Sequence, residues 1–73
     1  MDAKIIDAAL KLHLVEIRER VDQAASIAKA AEACATAGNL EKAVEIANDI
    51  DQLVYEVNTL LNAASLMNRI YKT

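Results

Sequence analysis

Proline is absent from this 73-residue chain, glycine occurs once, and there is neither phenylalanine nor tryptophan. Strands and irregular loops use Gly and Pro as punctuation, so their scarcity argues for long, uninterrupted helix. With Tyr55 and Tyr71 as the only aromatics, the stacking platforms of RNA recognition are missing. The single cysteine, Cys34, cannot form an internal disulfide, which fits a reducing compartment. No apolar run approaches the ~18 residues of a membrane span. Asp2 and Asp7 interrupt the first apolar residues, which argues against a signal peptide. Positive charge is also scarce: eight basic residues face eleven acidic ones, for a net charge of −3, so blanket phosphate binding has no electrostatic basis. These absences lead to the expectation of a soluble, cytoplasmic protein with no membrane and no nucleic-acid partner.

What is present is alanine, 15 residues of 73, within a chain that is 55% apolar. Such a composition favours close helix contact over bulk. The length allows at most one small domain, in the range where a single core is marginal.

From Ala3 to Ala37 nothing interrupts a helix. Asp2 can cap its start, and the alanine-rich run from Ala24 to Ala37 has the best intrinsic propensity available. Gly38 can take the left-handed conformation that ends a helix, and Asn39 can cap the next one. Glu41 and Glu45 then open a second helix that Arg69 and Lys72 close, both ends suiting the helix dipole. The expected fold is all-α, a long antiparallel two-helix hairpin of coiled-coil type. Helix 1 covers about 3–37, the turn 38–39 and helix 2 about 40–72. Each helix is roughly 50 Å long at ~1.5 Å per residue. The alternative is three shorter helices, with a second break at Asp22-Gln23 or Asn48-Asp49.

Counting apolar positions gives helix 1 one heptad seam: Leu10, Leu14, Ile17, Val21, Ala24, Ala28, Ala31 and Ala35. Helix 2 carries two registers. One runs Ala43, Ala47, Ile50, Val54, Val57, Leu61, Ala64. The other runs Ile46, Ile50, Leu53, Val57, Leu60, Ala64, Met67, Tyr71. Three apolar positions per heptad exceed what a simple pair buries. A lone hairpin would therefore leave Ile46, Leu53, Leu60 and Met67 largely wet, flanked on helix 1 by Ile6, Leu12, Ile27 and Cys34. A contiguous patch of this kind marks an interface. The candidate interface residues are the second register of helix 2 together with Leu10, Leu14, Ile17 and Val21.

Candidate chemistry is sparse. His13 lies one turn before Glu16 and could join a metal site in a bundle, although inward-facing sites use the order Glu-x-x-His. The bland reading is a flank histidine. Cys34 reads as a small packed hydrophobe near a helix C-terminus, where the dipole disfavours a thiolate. Glu41, Glu45, Asp49, Asp51 and Glu56 form a solvated acidic face. Lys4, Lys11 and Arg18 repeat every seven residues, with acidic residues interleaved. Asn58, Asn62, Ser65 and Asn68 form an uncharged polar strip that suits an interface rim or ordinary surface. No phosphate loop, catalytic carboxylate pair or nucleophile-base spacing occurs. No cofactor, small-molecule substrate or catalysis is expected.

The stretch from Ala31 to Ala43, A-E-A-C-A-T-A-G-N-L-E-K-A, locally resembles a tetratricopeptide unit. Ala31 and Ala43 stand at its small-residue positions and Gly38 at its turn. The aromatic positions of that motif fall on Ile27, Cys34 and Ala47, its closing proline is missing and no second repeat follows. The likeness is one of turn chemistry. In architecture alone, an acidic hairpin of this size is similar to the small co-chaperones of type III secretion needle subunits. That similarity implies a non-enzymatic hairpin holding a different helical protein. The first expectation is a homo-oligomeric interaction module, a dimer forming a four-helix bundle, that acts as adaptor or regulator. The co-chaperone-like module and a metal-binding bundle are the alternatives.

Overall fold

The computed structural model describes residues 2–72, and every element in them is an α-helix: α1 Ala3–Thr36, α2 Leu40–Ala47 and α3 Ile50–Lys72. Asp2 caps α1 by accepting from the backbone N–H of Lys4 at 2.9 Å. Thirty-four residues then follow without a break, Asp22-Gln23 included. The absence of Pro and the alanine content leave nothing there to compete with the helical hydrogen bonds.

The chain reverses as expected at Gly38-Asn39. Gly38 has φ +95°, and its N–H donates to Ala35 O at 2.9 Å while the Asn39 N–H donates to Cys34 O at 3.1 Å. This crossed pair of bonds is the Schellman closure. A β-carbon on Gly38 would meet nothing within 4 Å, so it is the left-handed backbone, not crowding, that requires glycine. The Asn39 side chain accepts from Lys42 N at 3.1 Å and caps α2.

The second arm departs from expectation. The single helix over about 40–72 is two helices, bent at Asn48-Asp49. Asn48 N still donates to Val44 O at 3.0 Å, but Asp49 N donates to Ile46 O and Asp51 N to Asn48 O, both one residue short of the helical spacing. Asn48 keeps helical φ −61° and ψ −24°, so the arm bends without reversing. Asn and Asp are among the poorer helix formers, and two in succession weaken the ladder here. The first helix shows no corresponding break.

α2 and α3 run back along α1, giving a body of 54 × 14 × 12 Å. That is two helices wide and one helix thick. Its Cα radius of gyration is 16.7 Å, against about 11 Å for a compact domain of this length. Ile6, Ala31, Ala43, Leu53 and Ala64 are buried, and three of these five are alanines.

Candidate interaction surface

The arms meet along one seam. On α1 the inward positions are Ile6, Leu10, His13, Ile17, Arg20, Ala24, Ile27, Ala31 and Cys34, all buried or half-buried. Across from them lie Ala43, Ile46, Ile50, Leu53, Val57, Leu60, Ala64 and Met67. Both lists alternate spacings of three and four, the knobs-into-holes pattern.

This corrects two expectations. Ile46, Leu53, Leu60 and Met67, expected to be wet on a lone hairpin, lie on the seam instead, Leu53 buried at 8% exposed and the other three half-buried. On α1, Leu10, Ile17, Ala24 and Ala31 face inward as counted, while Leu14, Val21 and Ala28 do not. The helix is turned so that the column of His13, Arg20, Ile27 and Cys34 takes their place. Tyr71, counted with the second register, is exposed at the end of α3.

Two polar residues tolerate the seam because their polar atoms are satisfied. Nδ1 of His13 donates to Ala9 O at 2.8 Å, one turn back. Arg20 donates from Nε to Glu56 Oε1 at 2.8 Å and from Nη1 to Glu16 O at 3.0 Å. Gln52 Nε2 holds the other Glu56 oxygen at 3.0 Å. The Gln52 amide and the Arg20 guanidinium hold the Glu56 carboxyl below its ordinary range, because both bonds favour the charged form. Arg20 lays its aliphatic stem along the apolar seam and carries its charge to the edge.

The two broad sides of the body therefore differ. Arg20, Glu56 and Tyr55 line one side. On the other, a groove of about 150 Å³ opens between the arms, lined by Val21, Ala24, Leu53, Val54 and Val57 together with Arg20 and Asn58. Seven residues on either way from Val21 and Val54, the same helix faces carry Leu14, Ala28, Leu61 and Ala47. Leu14, Val21, Val54 and Leu61 are 58, 51, 48 and 50% exposed. Here the surplus apolar positions of the sequence emerge. The third position per heptad exists, but it belongs to Val54 and Leu61, not to Leu53 and Leu60. Other large apolar side chains are exposed as well: Ile5, Leu12, Leu66 and Ile70 nearer the free ends, Val15 on α1, and Val44 and Leu40 nearer the turn, Leu40 one heptad before Ala47.

The remaining candidates are engaged elsewhere or are dispersed. Among the described residues no group of three His, Cys, Asp or Glu is placed to hold a metal. The Glu16 carboxylate is turned to Arg20 at 3.6 Å, not to His13. Cys34 is a free, half-buried thiol in the alanine zone. The basic stripe is partly neutralised within its own helix, Lys11 by Asp7 at 2.9 Å and Arg18 by Asp22 at 3.5 Å. Asp7 raises the Lys11 ammonium above its ordinary value, through a hydrogen bond first and charge second. Of the acidic face, Glu45 meets Lys42 at 3.5 Å and Glu56 belongs to the Arg20 cluster. Asn58 stands beside the groove, while Asn62, Ser65 and Asn68 are exposed along α3. No described helix is long and apolar enough to cross a membrane.

Comparison with known proteins leaves these features to speak for themselves: no protein-family model, curated protein or solved structure matches the chain.

Proposed function

We propose that this chain is a non-enzymatic protein-interaction module, an adaptor or regulator that works by packing the Leu14–Val21–Val54–Leu61 face against another helical surface. The observation that carries this reading is the apolar groove flanked by four half-exposed aliphatic side chains. A continuous aliphatic stripe costs free energy in water and gains it in contact, in rough proportion to the area covered. Among the described residues the body is only two helices wide and one helix thick, a shape that supports an interaction role over catalysis in a deep cleft.

Val54→Asp tests this. The substitution places a charge at the centre of the face and leaves the buried seam residues unchanged. Wild type, alone or with extract of its native host, should elute in an assembly larger than its 7.9 kDa. The variant should elute as a folded single chain in both settings, with helical circular dichroism retained. A wild-type chain that stays folded and single in both settings contradicts the proposal.

A further inference from the structure

Resting on that reading, we infer that the occupant of the apolar face is a second copy of this chain. The two bodies stack face to face about a two-fold axis that crosses both arms at Val21 and Val54, forming a four-helix bundle.

Surface area is the first reason. The accessible surface is 5451 Å², against about 4,400 Å² for a compact monomer of this mass. The excess is roughly 1,000 Å² per chain, near the ~800 Å² that each partner gives up in a standard stable interface. A copy of the same thin body, laid on the Leu14–Val21–Val54–Leu61 face, covers an area of that order on both chains at once. A two-fold interface uses the same patch twice and closes, leaving no open edge for further growth.

The order of side chains sets the direction of the axis. Along α1 the outward stripe reads Leu14, Val21, Ala28, and along the second arm it reads Leu61, Val54, Ala47. Over these three layers both stripes taper from large to small toward the turn, and one heptad beyond Ala47 the exposed Leu40 ends the taper of the second arm. If the axis ran lengthwise, leucine would meet leucine at one end and alanine would meet alanine at the other, leaving a wedge. With the axis transverse, α1 lies antiparallel on the partner's α1. Leu14 then faces the partner's Ala28, Val21 faces its own copy, and Ala28 faces the partner's Leu14. In the second arm Leu61 faces the partner's Ala47 about Val54. Large on small to either side of a valine-on-valine centre gives even filling.

Charge agrees with this arrangement. Beside the α1 stripe runs the heptad column Lys4, Lys11, Arg18, Ala25, Glu32, basic at one end and acidic at the other. Antiparallel stacking about Val21 sets Lys11 against the partner's Glu32 at both rims, and Arg18 against the partner's Ala25. On the second arm the corresponding column sets Asp51 against the partner's Asn58. Neither of these two columns opposes like charges.

The test is cysteine cross-linking in solution, in a Cys34→Ala background whose helicity is first checked against wild type. Val21→Cys should oxidise to a covalent homodimer. Leu14→Cys alone should not, whereas Leu14→Cys mixed with Ala28→Cys should form the mixed disulfide. Cross-linking of Leu14→Cys with Leu61→Cys instead, at native mass twice the chain, overturns the transverse axis. A chain that is monomeric alone but enters a stoichiometric complex with a different protein through Val54 overturns the self-pairing and leaves the interaction reading intact. A folded chain that forms neither complex overturns both.

Discussion

Arg20 and Glu56 are 36 residues apart with Gly38 midway between them, and their side chains meet at 2.8 Å across the seam. An antiparallel pair folded about Gly38 must bring equidistant residues to the same height. This contact therefore reports the register of the whole body. It also sets the Glu56 carboxylate on the broad side opposite Val21 and Val54.

The pair should be energetically coupled. Arg20→Ala and Glu56→Gln should each lower the urea midpoint, and the double variant should fall no further than the worse single one. Additive losses would show that the two side chains do not support each other in solution.

Stability should also depend on pH through Glu56. Its folded pKa lies below the ordinary 4.5, so its contribution is present above that value and is lost as pH falls through the folded pKa. Wild type should lose more stability on acidification below about pH 4.5 than Glu56→Gln does, measured by thermal melts across the range. Identical acid profiles would contradict the assignment.

Leu53 is buried at the middle of the seam, 8% exposed. Leu53→Ala should cost roughly 2–3 kcal/mol, the low end for a buried leucine, because the neighbouring groove already leaves room to relax. Tyr55→Ala, on the exposed back, should stay within about 0.5 kcal/mol. Leu53→Asp should unfold the chain itself, visible as lost helical circular dichroism, since the carboxylate has no partner at that site. A helical but dissociated Leu53→Asp would place Leu53 at an intermolecular contact instead.

The turn should be sensitive at two adjacent residues for different reasons. Gly38→Ala should cost about 1–2 kcal/mol by forcing a β-carbon into left-handed backbone. Asn39→Ala should cost about 1 kcal/mol by removing the cap on Lys42 N. Equilibrium urea unfolding measures both, and a neutral Gly38→Ala would mean the closure is not held in solution.

The two ends and the turn of this fold are legible in the sequence because capping chemistry is local: Asp2, Gly38 and Asn39 need only their immediate neighbours. The Asn48-Asp49 bend is visible as a weak spot, but propensity alone does not separate a bend from a continuous helix. The inner face of α1 is hidden for another reason. Counting apolar residues selects Leu14 and Val21 over His13 and Arg20. The chain instead buries the stems of the polar pair, because Ala9 O, Glu16 and Glu56 satisfy them. The equal distance of Arg20 and Glu56 from Gly38 was the available clue. Misplacing that face by one position also shifts the exposed apolar positions, from Leu53 and Leu60 to Val54 and Leu61. The surplus of apolar positions, by contrast, was countable from the start.

Sedimentation equilibrium of the wild-type chain over a range of concentrations tests the central claim most directly. The expected result is a mass twice 7.9 kDa at tens of micromolar, falling to the single-chain mass for Val54→Asp with helicity retained. A folded wild-type chain that sediments at the single-chain mass across the whole range would contradict it.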